Sequence, residues 1–177
     1  MVKAKRLYPH HKRGNEMSNK KHYDDIDCVH ILHQIATLYT GTKVPHDYGT
    51  GEEYSSIEVH TIMHIANEPG ITSKDLSIQF GRTKGAISQI IRKLIEKGLV
   101  IKSDEQTDKG QPLYLTEKGI ELDKAHRAYD RKNFSKSMSP VREKFSEEEI
   151  ATTFSLLEYW LEIRRDIQQK RMYGDKA

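Results

Sequence analysis

A single cysteine, Cys28, in 177 residues rules out an internal disulfide framework and fits a reducing compartment, which points to the cytoplasm. No run of about 18 apolar residues occurs, so no membrane-spanning helix is expected. The basic start lacks an apolar segment behind it and does not read as a secretory signal. Also missing are a nucleophile–base–acid set and a phosphate-binding glycine loop. The run "HTIMH" lacks the glutamate that a HExxH hydrolase needs. An enzyme therefore ranks last among the function classes, and no cofactor is implied.

What is present is charge, unevenly placed. The net charge is only +3, yet residues 1–21 carry seven Lys/Arg against Glu16, a net +6. The remainder is then −3, although residues 70–115 hold eight Lys/Arg and five Asp/Glu, a local +3. A basic centre in an acidic frame is what an anion-binding surface requires. The basic head, 1–21, has no apolar periodicity and is expected outside the core. Met17 opens "MSNKKHYDDID" and is a second candidate for the natural start.

The apolar spacing predicts six helices and one hairpin. The first helix spans about Tyr23 to Tyr39, with Cys28, Ile31, Ile35 and Leu38 on its stripe. "TKVPHDYGTGEEY" reads as a loop. Ser55 and Glu58 form a capping-box pattern for a second helix that stops before Pro69. Thr72 and Asp75 do the same for a short third helix ending at Gly81. The fourth spans about Thr83 to Lys97 and closes at Gly98. Leu99–Lys102 and Pro112–Leu115 then read as a hairpin. Thr116 caps a fifth helix, "SKSMSP" breaks it, and Ser146 caps a sixth with Ile150, Phe154, Leu157 and Leu161 on one stripe.

Helix–helix–helix–hairpin is the order of a winged helix-turn-helix. The flanking helices have apolar faces too long for so small a core, and a second copy of the chain is the simplest cover. The expected fold is mainly α with a small β wing. Its divisions are an extension at 1–21, a dimerisation helix and loop at 22–54, a DNA-binding winged helix at 55–116 and dimerisation helices at 117–177.

On a helical wheel the fourth helix divides in two. Ala86, Ile87, Ile90, Ile91, Leu94 and Ile95 fill one half, and Lys84, Gly85, Ser88, Gln89, Arg92 and Lys93 the other. A recognition helix presents such a polar face to the major groove. Gln89 has the geometry for adenine, and Lys84 and Arg92 have it for guanine or phosphate. Gly85 permits close approach of the backbone. Ser73, Arg82 and Thr83 sit at helix starts, where amide groups and the positive dipole end attract phosphate. The competing reading is an ordinary solvated face. The short helix, the tight Gly81 turn and the following hairpin together favour DNA.

The run from Glu58 to Gly119, above all "ITSKDLSIQFGRTKGAISQIIRKLIEKGLV" and "LYLTEKG", resembles the MarR family of bacterial transcription regulators. The resemblance implies a homodimer that binds a near-palindromic double-stranded operator, commonly as a repressor released by a small ligand or an oxidant. The family often carries Asp-x-Arg at the wing tip. Here the stretch is "TDKGQPLYLT", with Asp108 in place and Gly110 where the arginine is expected. Lys109 is the substitute, a point charge without the planar fork.

Sensing residues are the remaining question. Cys28 is a candidate for peroxide sensing, which needs an activated thiolate; the plainer reading is a small buried hydrophobe. His60 and His64 share a helix face, as do His30 and His33, and two such pairs make a candidate zinc site. Histidines at that spacing are more often surface or interface groups. Tyr39, Tyr48 and Tyr54 are candidates for lining an effector pocket, or for completing the core. A winged-helix module that binds a protein instead of DNA is the rival reading.

Overall fold

The structure is a computed structural model and describes residues 22–40, 44–108 and 110–174. It divides into two compact units, 1–42 and 43–177. The described part of the first is one helix, α1 (Asp25–Thr40), started by the Asp24 side chain, which accepts from the Asp27 amide at 2.8 Å. Cys28 is exposed on α1.

The second unit begins with a two-stranded ribbon, β1 (His46–Asp47) and β2 (Glu53–Tyr54), where the sequence reads as loop. Asp47 makes the ribbon. Its Oδ1 accepts from the amides of Gly49, Thr50 and Gly51 at 2.8, 2.9 and 3.1 Å. A carboxylate satisfying three consecutive amides closes a turn that propensity alone does not announce.

Three helices follow: α2 (Ser56–Asn67), α3 (Ser73–Phe80) and α4 (Lys84–Glu96). A hairpin comes next, β3 (Val100–Lys102) with β4 (Leu113–Leu115), in the register Val100↔Leu115, Ile101↔Tyr114 and Lys102↔Leu113. Two long helices complete the chain, α5 (Glu117–Arg142) and α6 (Glu147–Tyr173). The core lies between α2, α3, α4 and the base of the hairpin. Val59, Ile62, Leu76, Ile87, Ile91, Leu94 and Leu113 are buried there, and Leu122 closes it from α5.

Glu58 is the charged member of this core edge. Its Oε2 accepts from the Ser55 amide at 2.8 Å and the Ser55 hydroxyl at 2.6 Å. Its Oε1 meets Lys97 Nζ at 3.0 Å, which ties the start of α2 to the end of α4. Burial pushes the carboxyl up, but the Ser55 donors and Lys97 outweigh it and hold the group below the ordinary carboxylate value. A depressed carboxylate stabilises the fold above its ordinary value, and that stability is lost as pH falls through the folded value. Glu58→Gln is expected to cost about 1.5–3 kcal/mol at neutral pH, in the range of hydrogen bonds to a charged group. In urea unfolding the gap from the parent should close on acidification. A gap that does not change with pH contradicts this account.

The sequence reading breaks α5 at "SKSMSP"; the helix instead runs on to Arg142 with Pro140 inside it. Pro140 stands in the last turn, where its missing amide removes one bond and the helix ends two residues later in any case. The α6 stripe forms as the spacing predicts, yet α6 buries none of its residues. Phe154, Trp160, Leu161 and Ile167 are each more than two-fifths exposed.

Candidate nucleic-acid interface

Each piece of the helix–turn–helix is held by local chemistry. Thr72 starts α3: its hydroxyl donates to Asp75 Oδ2 at 2.7 Å, and the Asp75 amide donates back at 3.3 Å. Gly81 ends α3 in the left-handed region, at φ +59°, which a side chain rarely adopts. The Arg82 amide then bonds Ser77 O at 3.0 Å, and the chain turns within two residues into Thr83. Thr83 caps α4 by accepting from the Ala86 amide at 3.2 Å.

This turn fixes which face of α4 is free. Ile87, Ile91 and Leu94 are buried, with Ala86 and Ile90 half-buried against the core. Ile95, placed on the same wheel half, is 37% exposed, so the buried stripe is narrower than the sequence pattern. Arg82, Thr83, Lys84, Gly85, Gln89, Arg92 and Lys93 are exposed, and Ser88 and Ser73 are half-buried. Four cations and an amide therefore lie along one surface, beside the amino-terminal end of α4. An open helix start of that kind attracts phosphate. No atom lies within 4 Å of where a Gly85 side chain would begin, so nothing inside the described chain needs that glycine.

The wing tip is pinned by Thr107. Its amide and hydroxyl donate to Gly110 O at 3.1 and 2.6 Å, and the Gly110 amide returns a bond at 3.0 Å. Gly110 has φ +125°, a conformation that an arginine rarely adopts. The wing tip here is thus shaped for glycine at the position where the resemblance expects the arginine. Lys109, the substitute cation, lies outside the described residues.

One contact is invisible to sequence pattern. Tyr173, at the end of α6, places its hydroxyl 2.6 Å from Ser77 Oγ, and Lys74 Nζ sits 5.1 Å from the centre of its ring. The far end of α6 therefore clasps α3. Residues 96 apart share no periodicity that could signal it.

The sensing candidates separate. His30 and His33 are exposed on α1. His60 and His64 diverge: His60 faces His126 of α5, with ring centres 5.0 Å apart, whereas His64 faces Phe80 of α3 at 5.0 Å. Burial, then Arg165, depresses His64. Among the tyrosines, Tyr54 is core, its hydroxyl donating to Glu52 Oε2 at 2.9 Å; burial first, then Glu52, pushes it up to about 12. Tyr48 is half-buried against His46, His126 and Tyr129, and Tyr39 is exposed on α1.

Residues 54–109, which hold the helix–turn–helix and most of the wing, match the model of the MarR family. This segment is similar to the MarR family. A curated relative, the HTH-type transcriptional regulator PetP of Rhodobacter capsulatus, is 37% identical over 81 residues. That stretch is 45% of this chain and 45% of PetP, so the chain spans about half the length of the curated relative it matches. Among solved structures, the fold resembles a MarR protein from Peptoclostridium difficile with a TM-score of 0.61 at 21% identity, covering 89% of this chain and 99% of that one. It also resembles Streptococcus pneumoniae FabT in complex with DNA, with a TM-score of 0.56 at 22% identity, covering 79% and 94%. At these identities the structural likeness concerns the fold. No helix among the described residues is long and apolar enough to cross a membrane.

Proposed function

We propose that this chain is a member of the MarR family, a sequence-specific DNA-binding transcription regulator that works as a homodimer. The observation that carries the reading is the exposed half of α4, where Lys84, Gln89 and Arg92 are free while Ile87, Ile91 and Leu94 are buried. Lys84, Gly85, Ser88, Gln89 and Arg92 lie over the base edges. Ser73, Arg82, Thr83 and Lys109 grip the phosphate backbone and set the register. FabT, which shares the fold, is known in complex with DNA. Pairing of two copies is supported by the exposed apolar side chains of α6, such as Trp160 and Leu161, and of α1, such as Ile26 and Leu38. Two copies related by a two-fold axis read half-sites about 10 bp apart. The role is that of a repressor released by a small effector, without catalysis, in the cytoplasm.

The test is selection of bound duplexes from random DNA, followed by titration of the enriched sequence at several salt concentrations. A near-palindrome bound by two chains is expected, with affinity falling steeply as salt rises, because cationic contacts displace counterions. Failure to enrich any sequence at low salt would falsify the proposal.

A further inference from the structure

We propose that His60, His126 and Asp130 form a binding site for a divalent transition-metal ion of the zinc class. The three residues come from two elements, His60 from α2 and the other two one turn apart on α5. Each offers one ligand atom, and these atoms all lie within 4.8 Å of one another. Ligands about 2 Å from a shared tetrahedral zinc stand roughly 3.3 Å apart, so only a small inward closure of side chains is needed. Two imidazoles and one carboxylate are a ligand set that suits zinc, and three protein ligands leave a fourth position for water.

A second observation points to a missing partner. His126 is only 2% exposed, and its Nδ1 is buried without a hydrogen-bond partner. Its Nε2 lies 3.2 Å from Asp130 Oδ2. A plain His–Asp pair accounts for that one nitrogen; it leaves Nδ1 unpaired and does not account for His60, which stands against the same ring with ring centres 5.0 Å apart. Buried polar atoms left unpaired are uncommon in native proteins and call for an occupant or a function.

The surroundings are built to hold such a site. Tyr48 packs edge-on against His126 with ring centres 5.1 Å apart, and Tyr129 adjoins Tyr48 at 5.2 Å. These rings shield one side. Arg127 braces α5 against the end of α2 by donating to Asp123 Oδ2 and Asn67 Oδ1, both at 2.7 Å. Asp130 is half exposed and gives the ion a way in.

The experiment uses the full chain, free of any histidine tag and stripped of metal, titrated with Zn²⁺ and with Co²⁺ as a spectroscopic probe. One ion per chain is expected. Asp130→Asn and His60→Ala should each weaken Zn²⁺ by more than the roughly 10–100-fold that supporting partners of a metal site carry. A double His30→Ala, His33→Ala variant should bind as the parent does. Because His126 is buried, the test rests on the exposed Asp130 and the half-buried His60, with circular dichroism confirming that both variants fold. The proposal is overturned if no saturable binding occurs, or if both variants bind Zn²⁺ like the parent. DNA plays no part in this measurement, so its outcome is independent of the proposed regulatory role.

Discussion

Gly119→Ala is expected to destabilise the protein by about 3 kcal/mol or more, at or beyond the upper end of overpacking costs. A methyl group at 119 would overlap Leu99 O and stand 3.2 Å from Leu99 C and 3.3 Å from Leu115 Cβ. The first of these is backbone and cannot rotate away. Leu99 O also accepts from the Thr116 amide at 3.1 Å, and the Thr116 hydroxyl donates to Gly98 O at 2.7 Å. The end of α4, the hairpin base and the start of α5 are thus stitched together over the bare face of Gly119. Relief requires moving all three. Helix propensity alone makes the opposite forecast, since Gly to Ala inside a helix gains about 0.5–1 kcal/mol. Gly85→Ala is the matched control, because open space surrounds that position. It should leave urea unfolding unchanged or slightly improved. If Gly119→Ala unfolds at the same urea concentration as the parent, the close packing of α5 on Leu99 is not as described.

These two glycines also show what a sequence can disclose. The capping signals at Ser55, Thr72, Thr116 and Ser146 are local, and the structure has helix starts at all four. The division of α4 follows from a spacing of three and four residues, which any wheel exposes. Gly81 and Gly98 stop their helices for a local reason, a positive φ. Gly119 has no such local signature. Its role depends on a carbonyl twenty residues earlier, and only the three-dimensional path brings the two together. The same is true of the clasp between Tyr173 and Ser77, and of His126, which spacing does not pair with His60. The ribbon at Asp47 escapes sequence pattern for another reason. One side chain there satisfies three amides, and strands of two residues carry no alternation to detect. Local chemistry sets the helix ends, whereas the candidate metal site rests on contacts between α2 and α5 that no periodicity reports.

Neighbouring residues on α4 should fail in opposite ways. Ile91 is 1% exposed and belongs to the core; Arg92, next along the chain, is exposed. Ile91→Ala should cost about 2–5 kcal/mol of stability through lost burial and the cavity left behind. Arg92→Ala should change stability by less than about 0.5 kcal/mol, as surface substitutions usually do. Its effect belongs to DNA binding, a loss of about 1–3 kcal/mol on the selected operator if the guanidinium reaches a base. Each 1.4 kcal/mol of that is roughly tenfold in the dissociation constant. Sequence selectivity at one position should relax at the same time. A loss spread evenly over all sequences, with a shallower salt dependence, would move Arg92 from the bases to the phosphates. The pair of measurements separates two explanations of weak binding. A collapsed recognition helix lowers the urea midpoint together with the affinity, and Ile91→Ala must show both. A missing contact lowers affinity alone. If Arg92→Ala binds every duplex as the parent does, the exposed face of α4 is a solvated surface and the DNA-reading assignment fails.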